Sequence, residues 1–241
     1  GSGGYTYSIS PTNANISINS SGVVLVTSSL PAGNYYETIT VTDTQSVTYQ
    51  TTIHILVNDS ISVSVTTPIN STNGVAHTFT GYVTSRGGTG SLTYSMSDTS
   101  SLNVNSNGDL IVYATAPTGT VTGTITATDS LGMTGSITFS VNINAPISLG
   151  AISDLVFTQG NAAASDSITA TGGTTPLTYS LDSATSGFSI NGTSGQVSVT
   201  SAVAAGTYYE SITATDAVGA VAHIVLKVVV NAPLSFTGGT D

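Results

Sequence analysis

Residues 205–216 read AGTYYESITATD, and residues 32–43 read AGNYYETITVTD. A more diverged version, TGTVTGTITATD, occupies 118–129. The closing aspartates Asp43, Asp129 and Asp216 thus recur at steps of 86 and 87 residues, and the chain is organised by this period. Within each version aliphatic residues alternate with threonine: Ile39 and Val41, Ile125 and Ala127, Ile212 and Ala214. Strand side chains point to opposite faces with period two, so the aliphatics define one buried face. A turn follows. Asp129-Ser-Leu-Gly132 and Asp216-Ala-Val-Gly219 have the Asp first and Gly last of a type I turn, in which the carboxylate accepts a backbone N–H two residues on. Asp43-Thr-Gln-Ser46 keeps the Asp and lacks the Gly. The stretches TYQTTIHILVN (48–58), GSITFSVNIN (135–144) and AHIVLKVVVN (222–231) then read as returning strands, making this the last hairpin of each module.

Working outward, GSGGYTYSIS (1–10) aligns without gaps on GTGSLTYSMS (88–97) and GTTPLTYSLD (173–182), so Tyr7, Tyr94 and Tyr179 coincide. The expected division is 1–57, a module lacking its first strands; 58–143; 144–230; and 231–241. The openings NDSISV (58–63), NAPISL (144–149) and NAPLSF (231–236) match one another. Proline fixes φ and extends the residue before it, so these joints are stiff and the modules are expected to stack end to end as a rod. Residues 231–241 are then the first strand of a following module, or a donor strand. Two readings of the ends stay open. The chain is a segment of a longer array, or the tail strand of one copy completes the first module of the next, giving a head-to-tail polymer. Isolated apolar strands are unstable in water, so Pro233, Leu234 and Phe236 mark the inter-subunit strand.

Composition narrows the function. Only 6% of the residues are charged, and the two cations are Arg86 and Lys227. Counterion displacement from nucleic acid needs many Lys and Arg side chains, so nucleic acid is not the expected partner. No apolar run is long enough to span a membrane. With 0 cysteines there is no disulfide, thiolate metal site or cysteine nucleophile. Serine, threonine, asparagine and glycine leave a surface of hydroxyls and amides, which suits harsh external media.

With these features the chain resembles bacterial and archaeal immunoglobulin-like, cadherin-like repeats of surface adhesins and cell-envelope filament proteins. The resemblance is carried by the Gly-x-Tyr entry (Gly33/Tyr35, Gly206/Tyr208) and by the strand ends 41–43, 127–129 and 214–216. The joints Val57–Asp59, Val141–Pro146 and Val230–Pro233 complete it. It implies an all-β chain of tandem seven-stranded Greek-key β-sandwiches, an extracellular or cell-surface location and a spacer or adhesive role. The partners it implies are copies of the chain in a homopolymer and surface glycans. The leading expectation is a structural component of a filament, stalk or envelope layer. The alternative is an adhesin whose loops bind carbohydrate or protein.

Cadherin repeats hold calcium at their joints with clustered acids, and here the candidates are Asn58, Asp59 and Asp129. Calcium takes six to eight oxygens, which favours a turn-forming role for these aspartates. Glycosylation triplets start at Asn15, Asn19, Asn58, Asn70 and Asn191. No cofactor and no enzymatic activity is expected: no nucleophile elbow is present, and His54 and His223 read as one structural slot in the final strand. A single lysine, Lys227, allows at most one Lys–Asn cross-link. Glu37 and Glu210 share parity with Ile39 and Ile212. Because a lone buried carboxylate is costly, a β-bulge turning each outward is expected.

Overall fold

A computed structural model describes residues 1, 3–182 and 185–236. Among the described residues every regular element is a strand, and the chain is an all-β protein of tandem sandwiches. It forms two compact units: residues 1–63 with 85–93 and 126–136, and residues 64–84 with 94–125 and everything from 137 onward.

In the first unit, Gly33–Thr42 is the central strand of a three-stranded antiparallel sheet, flanked by Thr6–Ser10 and Thr48–Val57. Tyr7 lies opposite Val41 and Ile9 opposite Ile39. Ile16–Ile18 pairs with Val24–Val26 in a second, two-stranded sheet. Ile16 and Leu30 are buried, while Ile39, Val41 and Ile53 are half-buried.

In the second unit the corresponding strand, Gly206–Thr215, lies between Thr178–Leu181 and Val221–Asn231, and Leu155–Thr158 adds a fourth strand parallel to Val221–Asn231. Facing it is a sheet of Ala163–Ala164, Val197–Val199 and Phe188–Ile190. Phe188, Val197 and Val199 pack with Ile212, Leu226 and Val228 into one buried core. The same order recurs upstream: Thr93–Met96, Gly119–Thr128, Thr134–Asn144 and a parallel Asn70–Thr72, with Leu102–Val104, Leu110–Val112 and His77–Phe79 as the second sheet.

The expected bulge is absent. Gly33–Thr42 pairs with Thr48–Val57 in an unbroken register from Gly33↔Val57 to Thr42↔Thr48, and Gly206–Thr215 does so from Gly206↔Val230 to Thr215↔Val221. Strand parity therefore prevails, and Glu37 and Glu210 point inward, each 2% exposed, with Oε2 buried and lacking a hydrogen-bond partner. Neighbouring residues hold the register. Tyr35 and Tyr208 turn to the same side and their hydroxyls donate to the Pro31 and Ala204 carbonyls at 2.8 and 2.9 Å. Tyr36 and Tyr209 face solvent. At the matching position Gly119–Thr128 carries Gly123, whose missing side chain makes room for Met96, Leu102 and Phe139.

Residues 232–236 form no strand, and Leu234 and Phe236 are 105% and 96% exposed. The rest of the expected tail strand, 237–241, lies outside the described residues.

Candidate functional site

The residues that recur with the period meet at the joints, and each joint can be built from its turn. In the Asp129 turn, Gly132 N–H donates to the Asp129 carbonyl at 3.1 Å, and Oδ1 accepts the Leu131 and Met133 N–H groups at 2.9 Å each. The Asp216 turn repeats this through Val218 and Ala220, at 3.0 and 2.8 Å. Asp43 does so through Gln45 and Val47, at 2.9 Å each. There Ser46 takes the left-handed conformation, φ 63°, that Gly132 and Gly219 adopt in the other two turns.

The second carboxylate oxygen reaches a distant loop. Asp129 Oδ2 accepts the Thr89 N–H at 2.9 Å, and Asp216 Oδ2 accepts the Thr174 N–H at 2.8 Å. The Thr89 and Thr174 carbonyls in turn accept the N–H of Ser130 and Ala217. Each threonine hydroxyl then takes up the joint: Asn58 Nδ2 donates to Thr89 Oγ1 at 2.9 Å, and Asn144 Nδ2 to Thr174 Oγ1 at 3.0 Å. One residue earlier, Gly88 N–H donates to the Asp59 carbonyl and Gly173 N–H to the Ala145 carbonyl, both at 2.8 Å.

Glycine is required for this closeness. A Cβ at Gly87 would lie 2.2 Å from the Ser60 carbonyl oxygen, and one at Gly172 would lie 2.2 Å from that of Pro146. At Gly88 and Gly173 it would meet Ile61 and Ile147, each at 2.9 Å. Loop, turn and joint peptide therefore form one clamp, made twice with the same geometry.

The second clamp has an extra member. Thr72, 1% exposed, donates its hydroxyl to Asp216 Oδ2 at 2.5 Å and lies 2.8 Å from Thr174 Oγ1. Burial pushes the Asp216 pKa upward, but the Thr174 N–H, the Thr72 hydroxyl and the turn N–H groups outweigh it and hold the carboxyl below its ordinary value. Asp129 is also held low, chiefly by the Thr89 N–H, against the opposing effect of burial.

Of the calcium candidates, the clamp brings Asn58 and Asp129 together through Thr89, while Asp59 contributes its backbone carbonyl. Among the described residues no group of three or more His, Asp or Glu side chains is gathered. The glycosylation candidates are dispersed. Asn15 accepts the Thr27 and Ser29 hydroxyls, and Asn19 and Asn191 cap their own turns. Asn58 sits in the first clamp, and Asn70 is half-buried beside the buried Ser71 and Thr72.

The two histidines are not equivalent. Tyr36 lies opposite His54, but Tyr209 lies opposite Lys227, and His223 lies opposite Thr213. His54 stacks on Tyr36 with ring centroids 4.6 Å apart. His223 joins Thr213, Asp182 and Ser211 in a polar cluster on the exposed sheet face, and Lys227 pairs with Asp154 at 2.8 Å. Sequence reasoning missed the working parts of the clamp: the double glycines, Thr89, Thr174 and Thr72. The shared GGT at 87–89 and 172–174 was the available signal.

A cleft of about 420 Å³ opens in the second unit, lined among others by Asn70, His77, Thr78, Tyr82 and Thr174. His77 and Tyr82 flank Phe79, with ring centroids 4.5 and 5.0 Å from it.

No family model matches the chain, and no curated protein matches it. Solved structures similar to it are extracellular repeat proteins. The Sidekick-1 immunoglobulin domains 1–5 are 11% identical, with a TM-score of 0.46 over 95% of this chain and 53% of that one. Protocadherin gammaB7 EC3-6, solved as a cis-dimer, is 18% identical, with a TM-score of 0.32 over 94% of this chain and 66% of that one. The human Desmocollin-1 ectodomain is 18% identical, with a TM-score of 0.29 over 98% and 53%. The chain thus spans between about half and two thirds of these structures.

Proposed function

We propose that the chain is a stretch of an extracellular surface array, a structural component of a filament, stalk or envelope layer. Modules 58–143 and 144–230, with 1–57 before them, each fix their own entry peptide with a clamp, and the array is extended by pairing between copies through 231–241. Its work is to hold position; it carries out no chemistry. The observation that carries this reading is the twice-made clamp. In both repeats the Asn amide, the loop threonine and the turn aspartate fix the module's entry peptide on its own turn and loop. A surface of hydroxyls and amides with few charges suits exposure outside the cell. Immunogold labelling of intact cells with negative-stain electron microscopy tests it: labelled fibres or a labelled layer are expected, and label confined to the cell interior would sink it.

The adhesin alternative is favoured by the cleft around His77 and Tyr82, where aromatic faces adjoin the Asn70 amide and the Thr78 hydroxyl. A glycan array probed with the chain and with a Tyr82→Ala variant separates the two: saccharide binding lost in the variant supports adhesion.

A further inference from the structure

Within the second unit two repeats build matching ladders from different residues, and the differences gather in one place. The parallel strand Asn70–Thr72 sets Asn70 opposite Asn142, and in the later repeat the corresponding rung sets Val156 opposite Val229. In the second sheet His77 lies opposite Val112, where the later repeat has Ala163 opposite Val199. Thr78 likewise stands in the place of Ala164. Alanine and valine satisfy the scaffold at these rungs, so the asparagines, the histidine and the threonine are surplus to folding.

All of these substituted positions line cavities. His77 and Thr78, with Asn70, line the cleft of about 420 Å³. Pro68 and Asn70 also line a second cleft of about 450 Å³, together with Thr120, Ser140 and Asn142. The two clefts therefore adjoin across Pro68 and Asn70. The first presents aromatic rings, with Tyr82 and His77 half-buried around the buried Phe79. The second presents hydroxyls and amides. Asn142 Nδ2 donates to Asn144 Oδ1 at 3.0 Å, which leaves the Asn142 carbonyl oxygen as an acceptor. None of the described residues that line either cleft is Asp, Glu, Lys or Arg.

We infer that the two clefts form one extended site for a linear, uncharged saccharide chain. One sugar ring rests against Tyr82, and those that follow run past Asn70 toward Thr120 and Asn142. The inference rests on the adhesin reading above and adds length and neutrality to its ligand. A sugar ring has apolar C–H faces and a rim of hydroxyls that both donate and accept. Those faces suit the aromatic end, and the rim suits the amides and hydroxyls beyond it. The absence of lining charge selects against other occupants. A uronate or sulfate chain would meet no cation there, on a molecule of net charge −10, and a basic peptide would meet no carboxylate. Water competes for every such polar contact, so one sugar binds weakly and affinity accumulates along the chain.

Calorimetric titration of the 241-residue chain tests this, using series of neutral glucose, mannose, galactose and N-acetylglucosamine oligomers from monosaccharide to hexasaccharide. In at least one series affinity is expected to rise with oligomer length. The variants Asn70→Val and Asn142→Val take the residues of the later repeat, and unchanged circular dichroism will verify that they fold. Asn142→Val is expected to lower hexasaccharide affinity about tenfold and so remove the gain with length, while Tyr82→Ala weakens saccharides of every length. Asn70→Val is expected to weaken them likewise, since Asn70 lines both clefts. Affinity that does not depend on length, or a length dependence unaltered in Asn142→Val, overturns the extended site and leaves the adhesin reading of the first cleft standing. Tighter binding of uronate oligomers, or of a degenerate peptide library, overturns the neutral saccharide as occupant. A chain that binds no saccharide at all overturns both this site and the adhesin reading.

Discussion

The hairpins at 32–57 and 205–230 start from almost one sequence and end in differently filled sandwiches. Ile212 and Ala214 are fully buried, whereas the matching Ile39 and Val41 are half-buried. Both form the same ten-residue ladders. The difference comes from what packs on them. The later hairpin gains a parallel strand, Leu155–Thr158, along its edge and three strands opposite, against two strands opposite the earlier one. Local pattern decides that a strand forms and which way it faces; the count of neighbouring strands decides how much apolar area leaves water.

Seven substitutions would break or sharpen that contrast. Ile212→Ala should destabilise its unit by about 3 kcal/mol, as for a fully buried aliphatic, and Ile39→Ala by roughly half as much. Denaturant titration followed by hydrogen exchange on the two ladders reads both, and equal losses would refute the packing argument. Asp216→Ala should cost about 2 kcal/mol, because the Thr174 N–H and Thr72 hydroxyl lose a buried acceptor. Acid sharpens this case. The folded Asp216 carboxyl titrates below its unfolded value of about 3.9, so its stabilisation is complete above that value and is lost as pH falls through the folded one. Asp216→Asn should flatten the acid limb of stability against pH, and an unchanged limb would rule out this assignment.

Glu210→Leu should stabilise by about 1 to 2 kcal/mol, since it removes an unpartnered buried oxygen while keeping the volume. Thermal melts of this variant and of Glu37→Leu check it, with the smaller gain expected in the thinner sandwich. Ser46→Gly, which relieves a left-handed residue, should add about 1 kcal/mol to the first hairpin. No gain there would mean that the Asp43 cap already offsets the strain.

Much of the fold was legible because it rests on short-range rules. Alternation in 206–215 gave the strand, Asp216 and Gly219 gave the turn, and the threefold recurrence gave the tandem sandwiches. The errors came where a local penalty was set against a long ladder. A bulge at Glu37 would have spared one carboxyl, but it would have broken ten consecutive pairs and moved Tyr35 off its Pro31 contact. The histidines were misaligned although the returning strands match in length, Asp43 to Asn58 and Asp216 to Asn231 both spanning 15 residues: the Tyr36↔His54 and Tyr209↔Lys227 pairs make Lys227 the counterpart of His54, and His223 lies four residues earlier. The clamp was illegible for another reason. Thr89 and Asn58 lie 31 residues apart, and although GGT and Asn recur with the period nothing in the sequence pairs them, so Gly87-Gly88 reads as an ordinary loop until a carbonyl is found against it.

The second clamp draws Asn144, the 172–174 loop and the 216–220 turn from a single repeat, with Thr72 alone supplied from upstream. A gene duplication whose breakpoints fall just ahead of Asn58, Asn144 or Asn231 would therefore copy a self-contained cassette, carrying both the plug and its own socket. Such units can be added or deleted without redesigning their neighbours, so the chain can gain or lose whole repeats in one recombination event.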